Sequence, residues 1–257
     1  MSRSGRRCAP PSHRSARAEP SAHHPESKYS GGNLQAVMFD MDGLLVDSEP
    51  LWFQAEAFVM ARLGGSWSEA DQHALVGGSM PTTVSFLLSK AARPAEPAVV
   101  ASWLTDAMVE LLSTGPLPVM PGAAELLGEV VAAGLPYALV TSSEPAVMNA
   151  VLARLEAPFP VTVCGADVSR SKPDPEGYLR AAEKLGVDPR HSIALEDSPK
   201  GVAAAEAAGY LTVAVPSVVP VPERDGRIVL SSLVGITLAG LAEMARLAHA
   251  LRLPHRP

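Results

Sequence analysis

Sulfur and aromatic rings are scarce in this chain. Only two cysteines, Cys8 and Cys164, stand among 257 residues. They are too few and too differently placed for a disulfide framework, and a reducing cytoplasm fits them. Aromatics make up 5% of the residues while hydrophobic residues make up 47%, so a core must be packed from Ala, Val and Leu. No window approaches ~18 uninterrupted apolar residues, so no membrane-spanning helix is expected. No apolar segment follows the basic residues at the N-terminus, so no secretory signal is expected either. Basic residues are the minority charge, 21 against 27 acidic, for a net −6. The first thirty residues hold six basic and two acidic side chains, a local +4, so the rest carries −10. An acidic body argues against nucleic acid as a partner. It leaves room for a small phosphorylated metabolite, because a metal ion or one lysine can supply the positive charge.

Residues 1–33 are rich in Ser, Arg, Pro, Ala, Gly and His without apolar periodicity. They read as a disordered tail, with a transit peptide as the sharper alternative. Order is expected from "LQAVMFD" at 34–40, a buried strand. Helical patterns follow at 48–65, 68–76, 81–91 and 96–113 with no strand between them. Ser48 is placed to cap the first, and Asp47 is read the same way. After "GPLPVMPG" the chain alternates. Helices at 122–133, 145–155, 175–185 and 199–208 lead to strands at 136–142, 161–165, 192–197 and 210–215. "RIVLSSL" offers an edge strand, and 237–251 a last helix. Strands alternating with helices imply a parallel sheet joined by crossovers. Continuously apolar strands imply a sheet covered on both faces. The expected fold is α/β: a doubly wound, Rossmann-like parallel sheet with an inserted helical cap. The core is assigned to 34–46 and 116–257, and the cap to 47–115.

In such sheets ligands sit at the C-terminal strand ends. Those ends carry Asp40 and Asp42, then Thr141, Ser142 and Ser143, then Lys172 in "SKPDP", then Glu196 and Asp197. Clustered carboxylates repel unless a cation joins them. Oxygen ligands suit Mg²⁺. A carboxylate beside such an ion can attack phosphorus, and a second one two residues on can serve as acid and then base. Thr141 and Lys172 are placed to hold phosphoryl oxygens. Ser142 is a further phosphate candidate, although Ser142 and Ser143 also read as caps of the helix at 145. Gly43 reads as a tight turn.

With "DMDG" (40–43), "VTSS" (140–143), "SKPDP" (171–175) and "ALEDSPKGVAAAEAAG" (194–209) in this order, the chain resembles the haloacid dehalogenase superfamily. It is similar to the helical-cap branch that includes β-phosphoglucomutase and small sugar-phosphate phosphatases. The resemblance covers about residues 34–217. It implies Asp40 as nucleophile and Asp42 as acid/base, with Thr141 and Lys172 binding phosphate. It implies Mg²⁺ held by Asp40, Glu196, Asp197 and the backbone carbonyl of Asp42. It implies phosphate chemistry rather than C–halogen cleavage, because the superfamily's dehalogenases lack an aspartate at the position of Asp42.

The mutases of the branch carry extra basic and imidazole groups that this chain replaces with Trp52, Val76, Met80 and Glu144. A phosphatase acting on a sugar or polyol monophosphate is therefore expected, with a phosphosugar mutase as the alternative. A catalytically silent binding protein is the reading of another class. Trp52, Gln54, Trp67 and Met80 are candidates for the cap side of the pocket, which is expected to be apolar and uncharged. Trp52 and Met80 carry the specificity assignment. A monomer is expected, with a dimer as the alternative.

Overall fold

The computed structural model describes residues 34–155, 158–224 and 226–252. The expected tail at 1–33 and Cys8 lie outside them. The first strand, β1 (Ala36–Phe39), is completely buried. Its alternate side chains enter two different cores. Val37 and Phe39 join the larger cluster on one face, while Ala36 and Met38 join a smaller cluster on the other. A strand with two apolar faces needs cover on both, and the chain supplies it.

Four helices follow β1 directly: α1 (Glu49–Arg62), α2 (Glu69–His73), α3 (Met80–Lys90) and α4 (Pro97–Thr114). α4 packs on α1 and α3, and also on α6 (Pro145–Leu152) of the later chain. α2 is shorter than the pattern at 68–76 suggests, because only one turn forms. Ser68 caps it, accepting from the Asp71 N–H while Asp71 accepts in return.

The remaining chain runs α5 (Ala123–Ala133), β2 (Tyr137–Val140), α6, β3 (Val161–Val163) and α7 (Glu176–Leu185). It continues through β4 (Ser192–Glu196), α8 (Pro199–Ala207), β5 (Leu211–Ala214), β6 (Arg227–Val229) and α9 (Leu238–Arg252). The strands form one sheet in the order β3-β2-β1-β4-β5-β6, and every pair is parallel. β1 is central, with Phe39 level with Leu139 on one side and Leu195 on the other. α7 and α8 cover one face through small residues such as Ala181, Ala204 and Ala205, with Tyr178 and Tyr210 filling the space between. Leu126, Val130, Val147 and Leu241 cover the other face. Burying each such large apolar side chain contributes about 1.5–3 kcal/mol. β6 is a three-residue edge strand, so only the start of "RIVLSSL" pairs.

The order reverses at β1, where the chain first builds outward through β2 and β3 and then returns to the other side with β4. That switch opens a crevice at the carboxyl ends of β1 and β4. No helix among the described residues is long and apolar enough to cross a membrane.

Candidate active site

The loop after β1 is built by burial. Met41, Leu44, Leu45 and Val46 are all buried, so the turn is drawn back into the core. Two backbone bonds close it, from Gly43 N–H to Val46 O and from Val46 N–H to Met41 O. Gly43 adopts φ +80°, and a Cβ there would lie 2.0 Å from an oxygen of Asp197. The glycine therefore provides both the turn and the close approach of two acidic strand ends.

Asp40 extends β1 by one more rung, its N–H bonding Leu195 O. Its Oδ1 accepts from Lys172 Nζ at 2.6 Å. The same ammonium bonds Glu196 Oε1 at 2.5 Å and Val140 O at 2.9 Å. The Tyr178 hydroxyl donates to Glu196 Oε1 at 2.6 Å. Gly201 gives Glu196 its space, since a Cβ there would lie 2.0 Å from the carboxylate. Lys172 is thus gripped by three strands at once. Burial opposes its charge, but Asp40 and Glu196 outweigh that and raise its pKa.

Asp40, Glu196 and Asp197 offer carboxylate oxygens within 4.8 Å of one another, and all three are buried. Burial, and then the charge of Glu196, push Asp40 well up from the usual carboxylate range. The same two causes take Asp197 to about 8, against the Ser217 hydroxyl that donates to it at 2.5 Å. Acids held in this state suit a cation. The all-oxygen, hard donor set fits Mg²⁺, and in each of the three one carboxylate oxygen accepts from Lys172 or Ser217.

Asp42 is set apart from that trio. Its Oδ1 accepts from Ser48 Oγ at 2.7 Å and Trp52 Nε1 at 3.1 Å. Its Oδ2 accepts from Ser143 Oγ at 2.7 Å and Thr141 Oγ1 at 3.2 Å. Two capping assignments are corrected here. Ser48 stands at the N-cap of α1 with helical backbone angles and makes no cap hydrogen bond, because its hydroxyl serves Asp42. Asp47 does not cap it either, and its N–H bonds Pro118 O. Likewise Glu144, not a serine, is the N-cap of α6, and it makes no side-chain cap bond. Ser142 lines the cleft, as expected, without a side-chain bond to Asp42.

A cleft of about 70 Å³ lies above these residues. Trp52 and Met80 line it, as expected, and so do Val76 and Glu144. Gln54 does not: it is exposed and bonds Pro50 O. Trp67 packs edge-on against Phe86 instead. The expected apolar, uncharged cap face is overturned. Glu49, Glu56 and Gln72 also line the cleft. Gln72 Nε2 donates to Glu49 O at 2.6 Å and to Glu49 Oε2 at 3.1 Å. Burial and the charge of Asp42 raise Glu49 to about 7, and burial and Glu49 raise Glu56 to about 8. The spacing of 49, 52 and 56, one face of a helix, was the available signal.

Residues 34–209 match the model of the haloacid dehalogenase-like hydrolases. Hexitol phosphatase B of Escherichia coli K12 is 34% identical over 223 residues, covering 82% of this chain and 94% of that protein. A crystal structure of CbbY from Rhodobacter sphaeroides in complex with xylulose-(1,5)bisphosphate is 28% identical, with a TM-score of 0.75. It covers 81% of this chain and 99% of that one. β-Phosphoglucomutase from Clostridium difficile, at 21% identity, TM-score 0.72, and coverage of 85% and 100%, shares the fold. The chain belongs to the haloacid dehalogenase-like hydrolase family, as a phosphatase.

Proposed function

We propose that the chain is a Mg²⁺-dependent phosphatase that hydrolyses a small phosphorylated metabolite, a sugar or polyol monophosphate, through a phosphoaspartate on Asp40. The supporting observation is the division of labour between the two aspartates. Asp40 sits with Lys172 and the acidic trio, whereas Asp42 is turned toward the cap among hydroxyls and an indole N–H. We read 47–115 as a cap and the rest of the described chain as the core.

Lys172 holds Asp40 Oδ1, which leaves Oδ2 to attack phosphorus. The P–O bond to the leaving group breaks as the Asp40–phosphorus bond forms, and Asp42 gives its proton to the departing oxygen. Asp42 then takes a proton from water as that water attacks the phosphoaspartate. Inorganic phosphate leaves, and Asp40 is restored. Thr141 and Ser142, with Lys172, are assigned to the phosphoryl oxygens. Ser48, Trp52 and Ser143 keep Asp42 aimed at the leaving oxygen. Asp40, Asp197 and the Asp42 carbonyl, with Glu196 alongside, would hold Mg²⁺, which would supply positive charge to the transferring phosphoryl group. The proposal places the enzyme in the cytoplasm, acting as a monomer.

The hexitol phosphatase relative supports the substrate class. The mutase alternative needs a cationic grip on a second phosphate, and Val76, Met80 and Glu144, the residues read at the mutases' basic positions, line the cleft without a cation among them. The test is phosphate release from a panel of sugar and polyol monophosphates, with Mg²⁺ or EDTA, beside Asp40→Asn. Release that needs both Mg²⁺ and Asp40 is expected. Release that survives EDTA, or isomerised hexose phosphate formed with a bisphosphate primer, would sink the proposal.

A further inference from the structure

We infer that Glu56, supported by Glu49 and Gln72, forms the subsite that recognises the substrate's leaving group, and that it selects a hydroxyl-rich monophosphate. The inference rests on the phosphatase reading and concerns the part of the cleft that chemistry at phosphorus does not use. Glu49, Trp52 and Glu56 recur at intervals of three and four on α1, so they share one face. All three line the cleft. Trp52 already touches Asp42, which places Glu56 one turn beyond the acid/base, on the side where a leaving group extends.

Glu56 is 4% exposed, and its Oε2 has no hydrogen-bond partner. A buried acceptor without a donor is uncommon and costly, and because Glu56 also lines the cleft, a rotation of its carboxyl would let a ligand hydroxyl supply that donor. The indole N–H of Trp67 is near enough to hold the carboxyl's pKa down, yet it makes no hydrogen bond and is buried without a partner as well.

The charges lining the cleft narrow the ligand. Asp40, Asp42, Glu49, Glu56, Glu144 and Asp197 supply carboxylates, and among the described residues Lys172 is the only basic lining residue. That ammonium is already bonded to Asp40 and Glu196. A second phosphate would therefore meet mostly carboxyl groups, with the Lys200 ammonium nearby, 3.8 Å from where a Cβ at Gly78 would lie. An ammonium on the ligand is disfavoured differently: burial takes Glu56 to about 8, so at neutral pH its carboxyl is mostly uncharged. A neutral carboxyl donates and accepts, and so does a hydroxyl.

The test compares kcat/KM for a hexitol 6-phosphate, its deoxygenated counterpart n-hexyl phosphate, the hexitol bisphosphate and p-nitrophenyl phosphate. Wild type, Glu56→Leu and Glu56→Gln are measured. Sites built to bond a hydroxyl reject analogues lacking it, so wild type is expected to prefer the hexitol phosphate over hexyl phosphate by at least about 100-fold. In Glu56→Leu the preference is expected to fall below about tenfold, and Glu56→Gln, which keeps a donor and an acceptor, should retain most of it.

Equal use of hexitol and hexyl phosphates by wild type would overturn the subsite even if the leucine variant fails to fold. So would an undiminished preference in Glu56→Leu, or a wild-type preference for the bisphosphate. Wild type that releases phosphate from none of the four compounds would overturn the phosphatase reading, and this inference with it.

Discussion

Glu56 is a buried carboxyl, and its cost to the fold depends on pH. Its pKa rises from 4.5 to about 8, chiefly through burial. The folded state therefore holds a proton that the unfolded state has released across that interval. Stability from this group is full below about 4.5 and is lost as pH climbs toward about 8. Glu56→Gln cannot titrate. Urea unfolding at pH 5 and pH 8 should show the variant gaining on wild type at the higher pH, on the order of a few kcal/mol. Parallel pH profiles would contradict the assignment.

The residue scale is also where sequence reading fell short. Asp40, Asp42, Thr141, Lys172, Glu196 and Asp197 were legible because strand ends in an alternating β/α pattern must meet at one rim. Ser48 and Ser143 were not. A serine before a helix caps it in most settings, and only the fold brings Asp42 close enough to claim the hydroxyl. Glu56 was missed because a glutamate within a helix reads as solvated until the cleft behind it is seen.

At the scale of elements, α7, α8 and β4 form one device. Tyr178 on α7 and the space left by Gly201 on α8 fix Glu196 at the end of β4, and Glu196 fixes Lys172. Gly201→Ala puts a methyl group 2.0 Å from a carboxylate that is fully buried and bonded on its other side. The expected result is a kcat loss with destabilisation of about 1–3 kcal/mol, the usual cost of overpacking. Tyr178→Phe keeps the ring and removes one hydrogen bond to a charged group, worth about 1.5–3 kcal/mol. Stability by chemical denaturation and steady-state kcat check both, and wild-type values in either variant would contradict the device. The elements were legible in order and type because β/α alternation, with glycine at the helix ends, is a strong pattern. β3 and β6 are three residues each, shorter than their apolar runs, because pairing stops where the neighbouring strand ends.

The whole molecule brings an acidic chain to a focus at one rim. Asp40, Glu196 and Asp197 are buried together, so without a metal ion the fold carries repulsion that Lys172 offsets only in part. Mg²⁺ at about 100 times its Kd should stabilise the protein by about 2.7 kcal/mol. A thermal-shift titration should show that gain in wild type and its loss in Asp197→Asn; equal gains in both would place the ion elsewhere.

The central claim is that the phosphoryl group passes through Asp40. p-Nitrophenyl phosphate has a leaving group that needs no acid, so Asp42→Asn should be able to load Asp40 yet fail to activate the water that clears it. Intact-protein and peptide mass spectrometry of that variant, quenched with Mg²⁺ and substrate present, should find one phosphoryl group, on Asp40. An unmodified Asp40 while wild type turns over the same substrate, or a phosphoryl group on another residue, would contradict the account.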